Sequence, residues 1–138
     1  PSPQEMLEVT DRFAKIVPTQ VITEFDITTT ADEQLAADFT RDTMIACFSH
    51  PAYHGFILWG FWEGIHWKPE AASWNKDWSI RKRGEVLRDL IQKEWHTKVT
   101  IKTDAEGYAT WRGFPGVYTV QLGNTSLPKL RVSLEKNR

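Results

Sequence analysis

The 138-residue sequence predicts an α/β unit over residues 1–97 and a small antiparallel β module over residues 98–138. Two observations lead there. Up to about residue 97, amphipathic helical patterns alternate with short, continuously apolar runs, as in a parallel sheet covered by helices. From residue 98, apolar positions recur every second residue between turn-type clusters, as in short antiparallel strands.

In chain order, "SPQEMLEVTDRFAKIV" opens with Ser2, Pro3 and Glu5, which fit an N-cap, a first-turn proline and a capping-box acid. Met6, Val9, Phe13 and Ile16 mark one face of a helix that Pro18 ends. "QVITEFDI" follows as a strand. Thr30 and Glu33 form a second capping box, and Leu35, Phe39, Thr43 and Cys47 carry a helix to about Ser49. "HPAYHG" reads as a turn and "FILWGF" as a second apolar strand, buried like the first on both faces. After a loop rich in Trp, Pro and Glu, a third helix runs along Val86, Leu87, Leu90, Ile91 and Trp95. "KVTIKT", "YATWRGF", "VYTVQL" and "KLRVSL" then read as four short strands.

Composition narrows the function. With 17 Lys plus Arg against 18 Asp plus Glu and no like-charge block, nucleic acid and an anionic membrane are poor partners. The apolar run from Phe56 to Trp62 is far too short to span a bilayer, and the N-terminus carries no signal pattern, so a soluble chain is expected. Cys47 is the lone cysteine and reads as core. No cofactor or metal is implied, because His50, His54, His66 and His96 lack tight ligand spacing, His50 and His54 being four apart but across a proline turn that is not helical.

Seven tryptophans are the unusual feature, five of them between Trp59 and Trp78. In parallel sheets ligands gather at the C-terminal strand ends. Glu24 and Asp26 lie near the end of the first strand, and Trp59 and Trp62 near the end of the second. A carboxylate beside indole platforms suits a sugar, whose C–H faces stack on aromatic rings and whose oxocarbenium-like centre a carboxylate stabilises or attacks. Two plainer readings stand beside this one. Strand carboxylates are commonly rim ion pairs or solvated, and clustered tryptophans commonly pack in cores and loops.

"VITEFDI", with "FILWGFWEGIHWKPEAASWNKDWSI" and "RGEVLRDLIQKEW" after it, closely resembles the C-terminal part of family 10 glycoside hydrolases, the retaining endo-β-1,4-xylanases. The form is most similar to the plant and animal type, and the resemblance runs from residue 2 to about 97; the tail resembles that type's small β appendage. It implies the C-terminal portion of a (β/α)8 TIM barrel, strands seven and eight with helices six to eight. It implies Glu24 as the catalytic nucleophile, and Trp59 and Trp67 as sugar-stacking residues. Trp62, Glu63 and His66 are implied as further substrate contacts, and Thr23 and Asp26 of the "TE.D" motif as supporting residues. The implied substrate is xylan or a xylo-oligosaccharide, and the implied location is extracellular.

A full barrel needs about 250 residues. Retaining hydrolysis also needs a second carboxylic acid about 5 Å from the nucleophile, which the family carries in an Asn-Glu pair. Here Asn75, Asn124 and Asn137 are followed by Lys, Thr and Arg. The expected partner is therefore a missing N-terminal barrel segment bearing the acid/base Glu, and the chain alone is expected to lack turnover. A non-catalytic glycan-binding module and a structural module are the alternatives.

Overall fold

The computed structural model describes residues 1–28 and 32–133. They form two compact units, Pro1–Leu90 and Ile91–Arg138.

The first unit starts with α1 (Pro3–Ala14), whose Ser2 cap and Glu5 complete the expected capping box. Its buried face is not the one expected. Thr10 is buried, whereas Val9, Phe13 and Ile16 are exposed. The Thr10 hydroxyl donates to the Met6 carbonyl at 2.7 Å and lies 3.1 Å from the Tyr53 hydroxyl, so a polar residue is fully satisfied where an apolar one was expected.

Strand β1 (Gln20–Phe25) pairs in parallel with β2 (Tyr53–Leu58), and the sheet does not close into a barrel. Between them runs α2 (Glu33–Ser49), capped by Asp32, which accepts from the Gln34 and Leu35 amides. This corrects the expected Thr30–Glu33 box, since Glu33 is the first helical residue and follows the cap directly; Thr30 itself lies outside the described residues. β2 begins inside the stretch expected to be a turn and ends at Leu58, with Trp59 adding one further bond to the ladder. Neither strand is buried on both faces, since Val21 and Ile57 are exposed. Helix α2 covers one face with small residues, Ala36, Ala37, Thr40, Thr43 and Ala46 among them, and this close approach builds the core.

The unit ends with α3 (Lys82–Asp89), which packs on α2 and continues into a π-type turn, Leu90–Glu94. No helix among the described residues is long and apolar enough to cross a membrane.

In the second unit β3 (Gly116–Tyr118) pairs antiparallel with β6 (Leu130–Val132), and β4 (Gln121–Leu122) with β5 (Thr125–Ser126). Gly123, at φ +57°, supplies the positive dihedral that opens the two-residue turn between β4 and β5. The strands expected at 98–103 and 108–114 do not form. The turn between them does: the Asp104 amide donates to the Tyr108 carbonyl, and the Tyr108 amide to the Asp104 carboxylate, both at 2.7 Å. Val99, Ile101 and Tyr108 stay exposed, and a lone hairpin without a covered face is marginal in water. Leu134 of the last expected strand lies outside the described residues.

Candidate functional site

Strict alternation along β1 would put Glu24 on the same face as Ile22, towards α2, and Phe25 on the open face. The register prevents this. Ile22 pairs with Phe56 and Phe25 with Leu58, so β1 advances three residues while β2 advances two. This one-residue β-bulge leaves Thr23 and Glu24 exposed and returns Phe25 to the helix side, where its ring stacks on Phe39 of α2 at 6.3 Å and packs against Phe56 at 4.9 Å with the planes tilted by 49°. An acid thus occupies an apolar strand without being buried.

The residues after Glu24 hold two indoles. The Trp59 amide donates to the Phe25 carbonyl at 3.0 Å, which fixes Trp59 beside the end of β1. Trp67 Nε1 donates to Asp26 Oδ2 at 2.8 Å, a charge-assisted bond that ties a ring 62% exposed to the residue two places after Glu24. Lys68 Nζ lies 4.6 Å from the Trp67 ring centroid, in cation–π range. Glu24, Asp26, Trp59 and Trp67 are therefore brought together where both strands end.

Trp62, Glu63 and His66 are placed differently. Trp62 stacks on Trp78 with ring centroids 5.2 Å apart and planes 13° from parallel, and its Nε1 donates to the Lys76 carbonyl at 3.3 Å. A Cβ on Gly64 would fall 2.1 Å from the Trp62 ring, so only glycine fits against it. Glu63 Oε2 accepts from the Lys76 amide at 2.7 Å and pairs with Arg81 at 3.2 Å. His66 is 8% exposed. Its Nδ1 accepts from the Lys68 amide at 3.0 Å, which leaves the proton of the neutral ring on Nε2, a buried atom with no partner among the described residues.

Two arginines that sequence reasoning did not single out organise the surroundings. Arg81 donates to the carbonyls of Pro69, Glu70 and Ala72 and to Asn75, holding the loop between β2 and α3 in one shape. Arg83, 2% exposed, donates to the Ile27 carbonyl at 2.6 Å and to Glu33 at 2.8 Å, anchoring the chain just after β1. Its signal was present, because position 83 falls on the same helical face as Leu87 and Leu90. A cavity of about 720 Å³ lies beside Arg81, lined by Glu33, Glu63, Glu70, Asn75 and Lys82 among others, and contains none of Glu24, Asp26, Trp59 or Trp67. No group of His, Cys, Asp and Glu among the described residues is arranged to hold a metal ion.

No protein-family model matches the chain. Curated relatives do. The chain is 36% identical to the anti-sigma-I factor RsgI6 of Acetivibrio thermocellus over 118 residues, 85% of this chain and 15% of that protein. It is 30% identical to endo-1,4-β-xylanase 1 of Arabidopsis thaliana over 108 residues, 78% of this chain and 11% of that protein. The chain is homologous to part of the family 10 endo-1,4-β-xylanases. The xylanase homology extends to the fold: xylanase 10B of Thermotoga petrophila, solved in complex with xylobiose, superposes with a TM-score of 0.58 at 19% identity, covering 67% of this chain and 32% of that one. The chain thus spans a small fraction of the length of these xylanases, and what it shares with them is a mixed α/β portion.

Proposed function

We propose that the first unit is the C-terminal portion of a family 10 barrel, with β1 and β2 as strands seven and eight and α1, α2 and α3 as helices six to eight. In this reading the chain contributes to endo-hydrolysis of β-1,4-xylan with retention of configuration, outside the cell. The observation that carries the reading is the bulge, which turns Glu24 outward at the strand end where Trp59 and the Asp26-anchored Trp67 are held.

Glu24 attacks the anomeric carbon of the bound sugar, the bond from that carbon to the leaving oxygen breaks, and a covalent glycosyl-enzyme results; water then releases the sugar. Trp59 and Trp67 stack the rings on either side of the reacting centre, and Asp26 positions Trp67. Thr23 shares the bulge and so supports the aim of Glu24. His66 Nε2–H is suited to a sugar hydroxyl. Trp62 and Glu63 act as supports of the loop. The proton for the leaving oxygen comes from a carboxylic acid on a segment outside this chain, since no Asn-Glu pair is present.

A test that needs only the nucleophile follows. From a dinitrophenyl 2-deoxy-2-fluoro-xylobioside the dinitrophenolate departs without a general acid, so Glu24 needs no acid partner to bond to the anomeric carbon and form the intermediate. The expected result is a covalent adduct mapped to Glu24 by peptide mass spectrometry and absent from Glu24→Gln. A chain that binds xylobiose yet acquires no adduct would lose the catalytic assignment.

That outcome leads to a second reading, a module that binds xylan without cleaving it and reports its presence. The relationship to a protein named as an anti-sigma-I factor and the lack of an Asn-Glu pair support it.

A further inference from the structure

Trp78 is the sole non-glycine residue with positive φ, at +68°, among the described residues. In this region Cβ crowds the following carbonyl, which costs an L-residue about 1–2 kcal/mol and glycine nothing. The sequence nonetheless places its largest side chain there, and leaves it 60% exposed. Strain of this kind persists only where the surroundings impose it, and it concentrates at ligand-contacting positions.

The surroundings are a closed turn. The Trp78 amide donates to the Asn75 carbonyl at 2.9 Å, and the Asn75 amide to the Ser79 carbonyl at 2.8 Å. Asn75 Nδ2 donates to Ser79 Oγ at 2.8 Å, and Asp77 Oδ1 accepts from both the Ser79 hydroxyl and the Ser79 amide. The indole lies flat on Trp62, with Phe61 tilted beside it at 6.3 Å. An indole stacked on one face and still 60% exposed has its other face open to solvent. The same turn carries the polar side chains of Asn75, Asp77 and Ser79.

We infer that Trp78, backed by Trp62, is a second sugar-stacking platform, which takes a pyranose ring of a β-1,4-linked glycan at a distance from Glu24. A flat aromatic face held by its turn and exposed beside polar residues of that turn matches a pyranose, apolar on its C–H face and hydroxylated at its edge. Trp62 follows Trp59 by three residues, a span of at most about 11 Å, so one glycan several sugars long reaches from the strand end to this platform. The inference rests on the proposed glycan site for the choice of sugar.

The test follows the indole N–H signals of the full chain by two-dimensional ¹⁵N NMR during titration with xylohexaose. The signals of Trp59, Trp67 and Trp78 are assigned from triple-resonance spectra of the wild-type chain. The expected result is that xylohexaose moves the Trp78 signal together with those of Trp59 and Trp67. Trp78→Gly, free of the backbone strain, then binds xylohexaose about three- to tenfold more weakly with a thermal midpoint equal to or above the wild type. If Trp59 and Trp67 respond and Trp78 does not, the platform is refuted and the strand-end site stands. If Trp78 alone responds, the platform stands and the strand-end site is refuted; silence from all three refutes both. A Trp78 shift that depends on protein concentration without sugar places a second copy of the chain on this face and overturns the inference. So does a Trp78→Gly variant that loses stability while keeping its xylohexaose affinity. The wild-type spectra decide the matter even if the variant does not fold.

Discussion

At the scale of single residues, the site rests on side chains whose partners fix their purpose. Asp26 is half-buried and accepts a bond from an indole that packing alone would leave free to rotate. Replacing it with Asn keeps an acceptor, whereas Leu removes it. Asp26→Leu is therefore expected to weaken xylo-oligosaccharide binding about five- to tenfold with a stability change of about 1 kcal/mol or less, and Asp26→Asn to recover most of the affinity. Titration calorimetry with urea unfolding of each variant separates the two effects. Arg83 behaves in the opposite way. Its guanidinium is buried while the Glu33 side chain it pairs with remains 43% exposed, so the pair is only partly desolvated. Arg83→Met leaves Glu33 and the Ile27 carbonyl without their donor and is expected to lower stability by about 1–3 kcal/mol, below the range for fully buried pairs. A destabilisation under 0.5 kcal/mol in urea unfolding would mean that water replaces the guanidinium at no net loss.

At the scale of elements, close approach and turn chemistry set the loop between β2 and α3. A Cβ on Gly84 would meet the Ser73 carbonyl oxygen at 2.5 Å, a backbone atom that cannot swing away. Alanine gains about 1 kcal/mol of helix propensity there, but the clash costs more, so Gly84→Ala is expected to be net destabilising by about 1–2 kcal/mol in thermal unfolding. The turn that carries Trp78 is sensitive to pH. The hydroxyl and amide of Ser79 hold the Asp77 carboxyl below the usual range, so its stabilisation is present above about pH 4 and is lost as pH falls through the lower folded value. The Trp78 indole signal is expected to move below about pH 4 in the wild type and to stay level in Asp77→Asn. Much of this architecture was legible in the sequence. The Ser2 capping box follows from its cap residues, the three helices from their period, and the two parallel strands from short apolar runs. The bulge was not, because one extra residue in β1 is a property of its pairing with β2 and leaves no mark in β1 alone. The buried face of α1 was misread because Thr10 hides its hydroxyl in hydrogen bonds that period analysis cannot see. The 98–103 and 108–114 segments have strand periodicity but join no sheet among the described residues, and periodicity without burial does not make a strand.

For the whole molecule, the first unit exposes what a complete domain would cover. Phe13, Ile16 and Val17 after the cap-driven start of α1, Val21 on β1 and Ile57 on β2 are large apolar side chains in water, while the buried core is built mostly of alanine, threonine and a few larger residues. At about 25 cal/mol per Å² of apolar surface, covering such residues is worth on the order of 1–2 kcal/mol each, and a two-stranded parallel sheet also presents unpaired backbone groups along its edges. Both forces act towards association. The isolated chain is therefore expected to sediment with a concentration-dependent mass above 16.0 kDa at micromolar concentration, and Val21→Thr with Ile57→Thr to shift it towards monomer, since threonine keeps strand propensity and removes apolar area. The proposed glycan site makes a separate demand. If association proceeds through these faces as they would pack in a barrel, adding a polypeptide that carries the remaining strands should displace the self-associated form and restore turnover in the same titration. Displacement without turnover would leave the complementary surface correct and the pairing of Glu24 with an acid/base wrong.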